Sequence, residues 1–285
     1  MTAETKPILV TGATGQQGRA VATALMQKGK KVRVMTRHPE KAAALAHAGA
    51  EVVKGNLTNQ ADLQAALRGV QGVFAMSTPF EAGMDEEVRQ GVMLADAAQQ
   101  AGVSHYVYTS VGSAHRQTGI PHFESKWKVE QHIKQIGLPA TILRPVFFME
   151  NFTTFAKPSP EGVITMPMRP DRTLAMVALR DIGEFGAAAF VRPHDFIGQA
   201  IDLAGDELTI PEVATLLTNA SGRPIRFQEF PLDRAEAALG HDFATMFRWF
   251  NEVGYSVNIP TLTQTFGIPL MTFQEWIRTV DWANT

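Results

Sequence analysis

The run Thr11-Gly12-Ala13-Thr14-Gly15-Gln16-Gln17-Gly18 spaces three glycines as G-x-x-G-x-x-G. It follows the apolar stretch Ile8, Leu9, Val10 and opens a segment that places Val21, Ala24 and Leu25 on one helical face. In a strand-turn-helix setting each glycine has its own task. The first permits a tight turn, the second lets backbone approach a pyrophosphate, and the third lets helix and strand pack closely, while the helix N-terminus offers unpaired N–H groups to the anion. Thr11, Gly12, Thr14, Gly15, Gln16, Gln17 and Gly18 are therefore read as dinucleotide-binding residues; a ligand-free glycine-rich turn is the plainer alternative. A dinucleotide site reads the adenosine ribose at the end of the second strand, about 20 residues further on. Arg37 stands there, 19 positions past Gly18, with Lys41 one helical turn beyond it. A carboxylate would repel a 2′-phosphate, whereas a guanidinium can hold one bidentately. The pair favours NADP(H), with NAD(H) possible; as a plainer alternative the two cations form a solvated helix start.

These residues need a scaffold, and the chain's periodicity supplies one. Short β-branched runs at 7–10, 31–36, 51–54, 73–77, 106–110 and 140–143 alternate with amphipathic stretches. The first of those stretches follows the glycine run, and others lie near 39–48, 60–68, 86–101 and 123–136. Gly29, Gly49, Gly69, Gly102 and Gly137 close them in turn, each able to take the left-handed conformation of a helix end. Crossovers of helical length bring each strand back parallel to the last, which predicts an α/β fold with a doubly wound parallel sheet. The alternation stops around 144–160, where Phe147, Phe148, Phe152 and Phe155 lead into the Pro-rich KPSPEG. A dinucleotide-binding domain is expected over 1–155 and a smaller C-terminal α+β lobe over 156–285, some segments of which can return to the main sheet. The smaller lobe is read with strands near 162–167, 199–203 and 225–230 and helices near 179–191, 210–220 and 272–280.

Composition excludes several alternatives. The 285 residues carry 26 basic and 28 acidic side chains, a formal charge of −2, with 45% hydrophobic and 19% charged residues, which is ordinary for a globular protein. No basic run exceeds Lys30-Lys31, so the chain lacks the field that tracks a nucleic acid backbone. With no cysteine there is no disulfide framework, thiolate nucleophile or zinc-thiolate site. His105, His115 and His132 show no ligand spacing, and no metal is expected. MTAETKPILV has no apolar leader core, and no apolar run reaches the roughly 18 residues that cross a bilayer, so a soluble, cytoplasmic protein without a membrane role is expected.

TGATGQQG, VRVMTRHPEK, EVVKGNL and the lysine of the fifth helix together resemble the NmrA-like group of atypical short-chain dehydrogenase/reductases, most strongly over 7–152. The resemblance implies a Rossmann-type sheet with a smaller substrate-binding lobe, pyrophosphate on the loop 12–18 and Arg37 at the 2′-phosphate. It places Asn56, where most of the superfamily has Asp, and Leu57 beside the adenine, and Ser77, Thr78 and Pro79 on the nicotinamide side. Phe80, Phe147, Phe148 and Phe152 are expected to bind substrate, a flat apolar molecule; the last three, following the sixth strand, sit at the carboxyl edge of the sheet where such folds bind ligands, or else in the core.

The departure lies in the catalytic signature. Members with standard chemistry carry Tyr-x-x-x-Lys, whose i, i+4 spacing puts both side chains on one helical face. Here the segment is His122-Phe123-Glu124-Ser125-Lys126, so His replaces Tyr. An imidazole can donate a proton near neutrality, although His122 after Pro121 can equally be a helix-start residue. Lys126 is expected to hold the cofactor ribose, and Ser110 in YTSVGS matches the superfamily's catalytic serine. Two functions follow. One is an NADPH-dependent reductase passing hydride to a quinone, enone or similar conjugated or aromatic small molecule. The other is a nucleotide sensor read by a regulatory partner protein, which needs no general acid. A monomer or homodimer fits either.

Overall fold

The computed structural model describes residues 6–282. They form two compact units that the chain enters more than once: 6–114, 122–144 and 182–201 in the first, and 115–121, 145–181 and 202–282 in the second.

The first unit is built on β1 (Ile8–Thr11), β2 (Val32–Thr36), β3 (Glu51–Lys54), β4 (Gly72–Ala75), β5 (His105–Thr109) and β6 (Ala140–Pro145). Ala200–Leu203, expected in the smaller lobe, supplies a seventh strand beside β6, anchored by the Ile142 N–H on Gln199 O at 2.9 Å. From that edge the order runs through β6, β5, β4, β1, β2 and β3, with parallel pairing between neighbours from β6 onward. β1, β4 and β5 are buried along their whole length, as central parallel strands covered on both faces must be. The intervening helices are α1 (Gln16–Gln27), α2 (Ala43–His47, preceded by the 3-10 turn Pro39–Ala42), α3 (Gln60–Leu67), α4 (Met84–Gln100) and α5 (Pro121–Gln135).

Leu63 and Leu67 of α3, Leu94 and Ala98 of α4, and Val129 and Ile133 of α5 pack with Leu9, Val73, Tyr106 and Tyr108 on one face of the sheet. The other face meets α1 and α6 (Leu179–Val191), whose approach is close enough to require glycine: a Cβ on Gly186 would lie 2.8 Å from Val21 and one on Gly183 2.8 Å from Ala20 O. Gly29, Gly49, Gly69, Gly102 and Gly137 all have positive φ, as the helix-stop reading required. No described helix is long and apolar enough to cross a membrane.

In the second unit Thr173–Val177 pairs with Asp206–Thr209 and with Phe147–Phe148, and Val163–Met166 pairs parallel with Arg226–Glu229. Capping boxes start two of its helices: Thr209 with Glu212 before Ile210–Ser221, and Thr272 with Glu275 before Phe273–Ile277. Buried Asn251 ties Ala235–Glu252 to the rest of the unit by accepting from the Arg169 N–H at 2.7 Å and donating to Pro167 O at 2.8 Å, and its amide also donates to Phe247 O of its own helix at 2.8 Å.

On β5, His105 lies buried with its Nε2 2.8 Å from Thr141 Oγ1. The Thr141 hydroxyl donates to Phe196 O, so the ring nitrogen is the donor of the pair. Burial pushes the His105 pKa from 6.5 down to about 4. The folded protein therefore refuses a proton that the unfolded chain accepts. The contribution is complete above pH 6.5 and is lost as pH falls toward 4, amounting to about 3 kcal/mol. Melting between pH 7 and 4 should fall more steeply for wild type than for His105→Gln; equal slopes would contradict this assignment.

Candidate functional site

The glycine turn has the geometry its spacing implies. Gly12 takes φ +65°, and the Gly15 N–H donates to Gly12 O at 2.9 Å. A Cβ on Gly18 would stand 2.5 Å from both Gly12 C and Gly12 O, so only glycine lets α1 pack on the turn. Gly15 differs: the nearest atom to a Cβ there is Gly12 O at 3.4 Å, and the backbone on that side lies open. Gly15 caps α1 with no side-chain hydrogen bond, and no acidic residue occupies the first turn. The helix thus begins with N–H groups and the positive end of its dipole presented to an anion.

Thr11 ties β1 to the segment after β4, accepting the Met76 N–H at 2.8 Å and donating to Met76 O at 3.0 Å. Between these strands the sheet order reverses, which places a crevice outside their carboxyl ends. A cleft of about 330 Å³ occupies it, within the size range of small-molecule sites. Thr11, Gly12, Thr14, Gly15, Arg37, Lys41, Asn56, Leu57, Ser77 and Thr78 line it, bringing together ten of the residues selected from sequence. Met35, Met76, Glu81 and Gln90 also line it without having been selected. Glu81 is the most consequential addition, since its carboxylate sits 2.5 Å from Arg37 Nη2. Gln17 turns elsewhere, accepting the Thr109 hydroxyl at 2.6 Å, and Gln16 is exposed.

Lys126, on α5, donates to Glu87 Oε1 at 2.7 Å and to Ser77 O at 3.3 Å, with its ammonium 5.9 Å from the centre of the Tyr108 ring. Glu87 is fully buried, and its second oxygen accepts the Ser125 hydroxyl. Sequence reading missed Glu87; its only signal was a place among the acids Asp85, Glu86 and Glu87 of the α4 first turn. Burial, with the Glu87 charge adding to it, raises the Tyr108 phenol well above its ordinary pKa and keeps it protonated. His122 is buried edge-on to Phe123, ring centres 4.8 Å apart, and lies 6.0 Å from the ring of Phe80, which is itself 67% exposed and adjoins Pro79.

Ser110 is buried, and its hydroxyl donates to Glu130, whose carboxylate is bound by Arg144 at 2.6 Å. It is absent from the cleft wall. In the second unit Phe147 packs edge-on to Phe152 and Phe155, both at 5.9 Å. Phe152 is fully buried against Phe273 at 5.3 Å, while Phe148 is half-buried. Among the described residues no group of three or more His, Asp or Glu side chains is placed to hold a metal ion.

Comparison with known proteins gives a consistent picture. A (4-alkanoyl-5-oxo-2,5-dihydrofuran-3-yl)methyl phosphate reductase of Streptomyces griseus is 32% identical over 280 residues, covering 94% of this chain and 96% of the relative. An NAD(P)H azoreductase of Xenophilus azovorans is 32% identical over 238 residues, covering 81% and 80%. The crystal structure of the NADPH-dependent quinone oxidoreductase QOR2 of Escherichia coli, complexed with NADPH, superposes with a TM-score of 0.82 at 27% identity over 95% of this chain and 99% of that one. Residues 4–279 match the NmrA-like family description. On a match that leaves out only the two ends, the chain belongs to the NmrA-like family.

Proposed function

We propose that the protein is an NADPH-dependent oxidoreductase that passes hydride to a quinone, enone or similar conjugated or aromatic small molecule. The observation that carries this reading is the single cleft that joins an uncapped helix N-terminus, the open backbone at Gly15 and the guanidinium of Arg37. These groups fit a 2′-phosphorylated dinucleotide: the N–H donors would hold the pyrophosphate, and Arg37 with Lys41 would hold the 2′-phosphate. Two relatives that match most of the chain are named as reductases, and a structural neighbour was crystallised with NADPH. NAD(H) is a possible second ligand.

When bound, NADPH supplies the hydride and its electron pair. The chain's part is to bind and orient. Lys126, aimed by Glu87, would hold the nicotinamide-side ribose, and Ser77 and Thr78 wall that end of the cleft, while Pro79, expected beside them, is not part of its lining. A ring nitrogen of His122, or solvent, delivers the proton that neutralises the reduced acceptor. An electron-poor acceptor accepts hydride with little acid assistance, which suits a site carrying His in place of Tyr. In the first unit the exposed ring of Phe80 is assigned to the substrate side, whereas Phe152, expected there, is buried against Phe273 in the core of the second unit and is not free to touch a substrate.

One observation favours the alternative, a nucleotide sensor read by a regulatory protein: His122 replaces the usual acid, and sensing needs none. Kinetics separate the two. Lys126→Ala should lower kcat/KM for NADPH with a quinone acceptor by about 10- to 100-fold, the worth of a charge-assisted hydrogen bond to the ribose. Unchanged kinetics would remove Lys126 from the reaction.

A further inference from the structure

Selectivity at the adenosine ribose depends on which charge meets the 2′ position. The end of β2 carries a cation, Arg37, where a site for an unphosphorylated ribose would carry a carboxylate. A carboxylate reaches the same place from another part of the chain. Glu81, between β4 and α4 and 44 residues from Arg37, lines the same cleft and binds the guanidinium at 2.5 Å. Both side chains are about half-exposed, 52% for Arg37 and 57% for Glu81, so water screens the pair and either partner can be drawn off it. The subsite thus holds a donor fork suited to phosphate and an acceptor suited to a hydroxyl.

We propose that Glu81 is a specificity-determining residue of this subsite, staying on Arg37 and accepting the hydroxyl when the ribose carries a 2′-OH, and giving Arg37 up when the ribose carries a 2′-phosphate. The inference rests on the dinucleotide reading above. A 2′-phosphate competes with the carboxylate for the guanidinium and repels it at short range, so the carboxylate taxes NADPH binding. A 2′-hydroxyl donates to the carboxylate, so the same group supports NADH. Glu81 narrows the preference that Arg37 alone would set.

The test is titration of wild type, Glu81→Gln and Glu81→Lys with NADPH and with NADH, followed by the fluorescence of the reduced nicotinamide. Arg37→Ala serves as the control for the phosphate contact. Loss of the carboxylate should tighten NADPH about two- to fivefold, the range of an exposed ion pair, and weaken NADH by a similar factor. The ratio of Kd for NADH to Kd for NADPH should then rise about four- to 25-fold in Glu81→Gln, and further in Glu81→Lys. A ratio that stays the same or falls, in a protein that binds both cofactors, overturns the role of Glu81 and leaves the reductase reading intact. A wild type that binds neither cofactor overturns both.

Discussion

Glu87→Ala is expected to lower the unfolding free energy by about 3–5 kcal/mol, because it leaves the Lys126 ammonium without its carboxylate in a site that water hardly reaches. The Lys126 side chain is only 12% exposed and that of Glu87 not at all. After the substitution the charge retains Ser77 O at 3.3 Å and the face of the Tyr108 ring, and neither replaces a full negative charge. The Ser125 hydroxyl loses its acceptor as well. For a chain of this size the loss corresponds to a melting temperature lower by about 10 °C. Glu87→Gln, which keeps one acceptor oxygen for Lys126 or Ser125, should lose distinctly less. A Glu87→Ala protein that melts within about 2 °C of wild type would show that Lys126 is solvated where the structure has it paired.

The second large effect separates two glycines of one turn. Gly18→Ala places a methyl group 2.5 Å from the Gly12 backbone and 2.8 Å from Ala13 N, atoms that cannot swing aside as a flexible side chain would. The α1 N-terminus must move off the turn, costing about 1–3 kcal/mol of stability and displacing the N–H donors from their common focus. Gly15→Ala meets nothing closer than 3.4 Å and needs no unusual φ, since Gly15 already sits at φ −95°. Its methyl projects into the space a pyrophosphate must enter. Both variants should bind NADPH about 100-fold more weakly, but only Gly18→Ala should also melt early. Paired melting curves and fluorescence titrations check this. Gly15→Ala binding NADPH as wild type does would remove the turn from the site.

Legibility in the sequence followed the range of the interactions involved. β3 falls on the expected 51–54, and the other five expected strands lie within two residues of their bounds at either end, because each is a short apolar run closed by a turn residue. The Gly12, Gly15 and Gly18 spacing encodes a local turn and was readable as one. The second unit was less open. Thr173–Val177 contains Ala and Met, which give a weak strand signal, and Gly240 at φ +82° interrupts the pattern of Ala235–Glu252. Thr261, Thr263 and Thr265 dilute the helical signal of Ile259–Phe266.

Within the site, Arg37 was visible because its spacing from Gly18 is fixed by one strand. Glu81 and Glu87 were not, since their partners come from other elements and a sequence does not distinguish a buried glutamate from the exposed acids beside it. Ser110 matched a motif position, but the direction of its hydroxyl is set by Glu130 and Arg144, groups no local spacing connects to it.

The most direct measurement follows NADPH absorbance as the wild type is mixed with a panel of quinones, enones and aromatic dyes, with Arg37→Ala run in parallel. Acceptor-dependent oxidation that falls by about tenfold or more in the variant at limiting NADPH is the predicted result. NADPH bound by the wild type, shown by fluorescence, with no oxidation against any acceptor would contradict a reductase and favour the sensor.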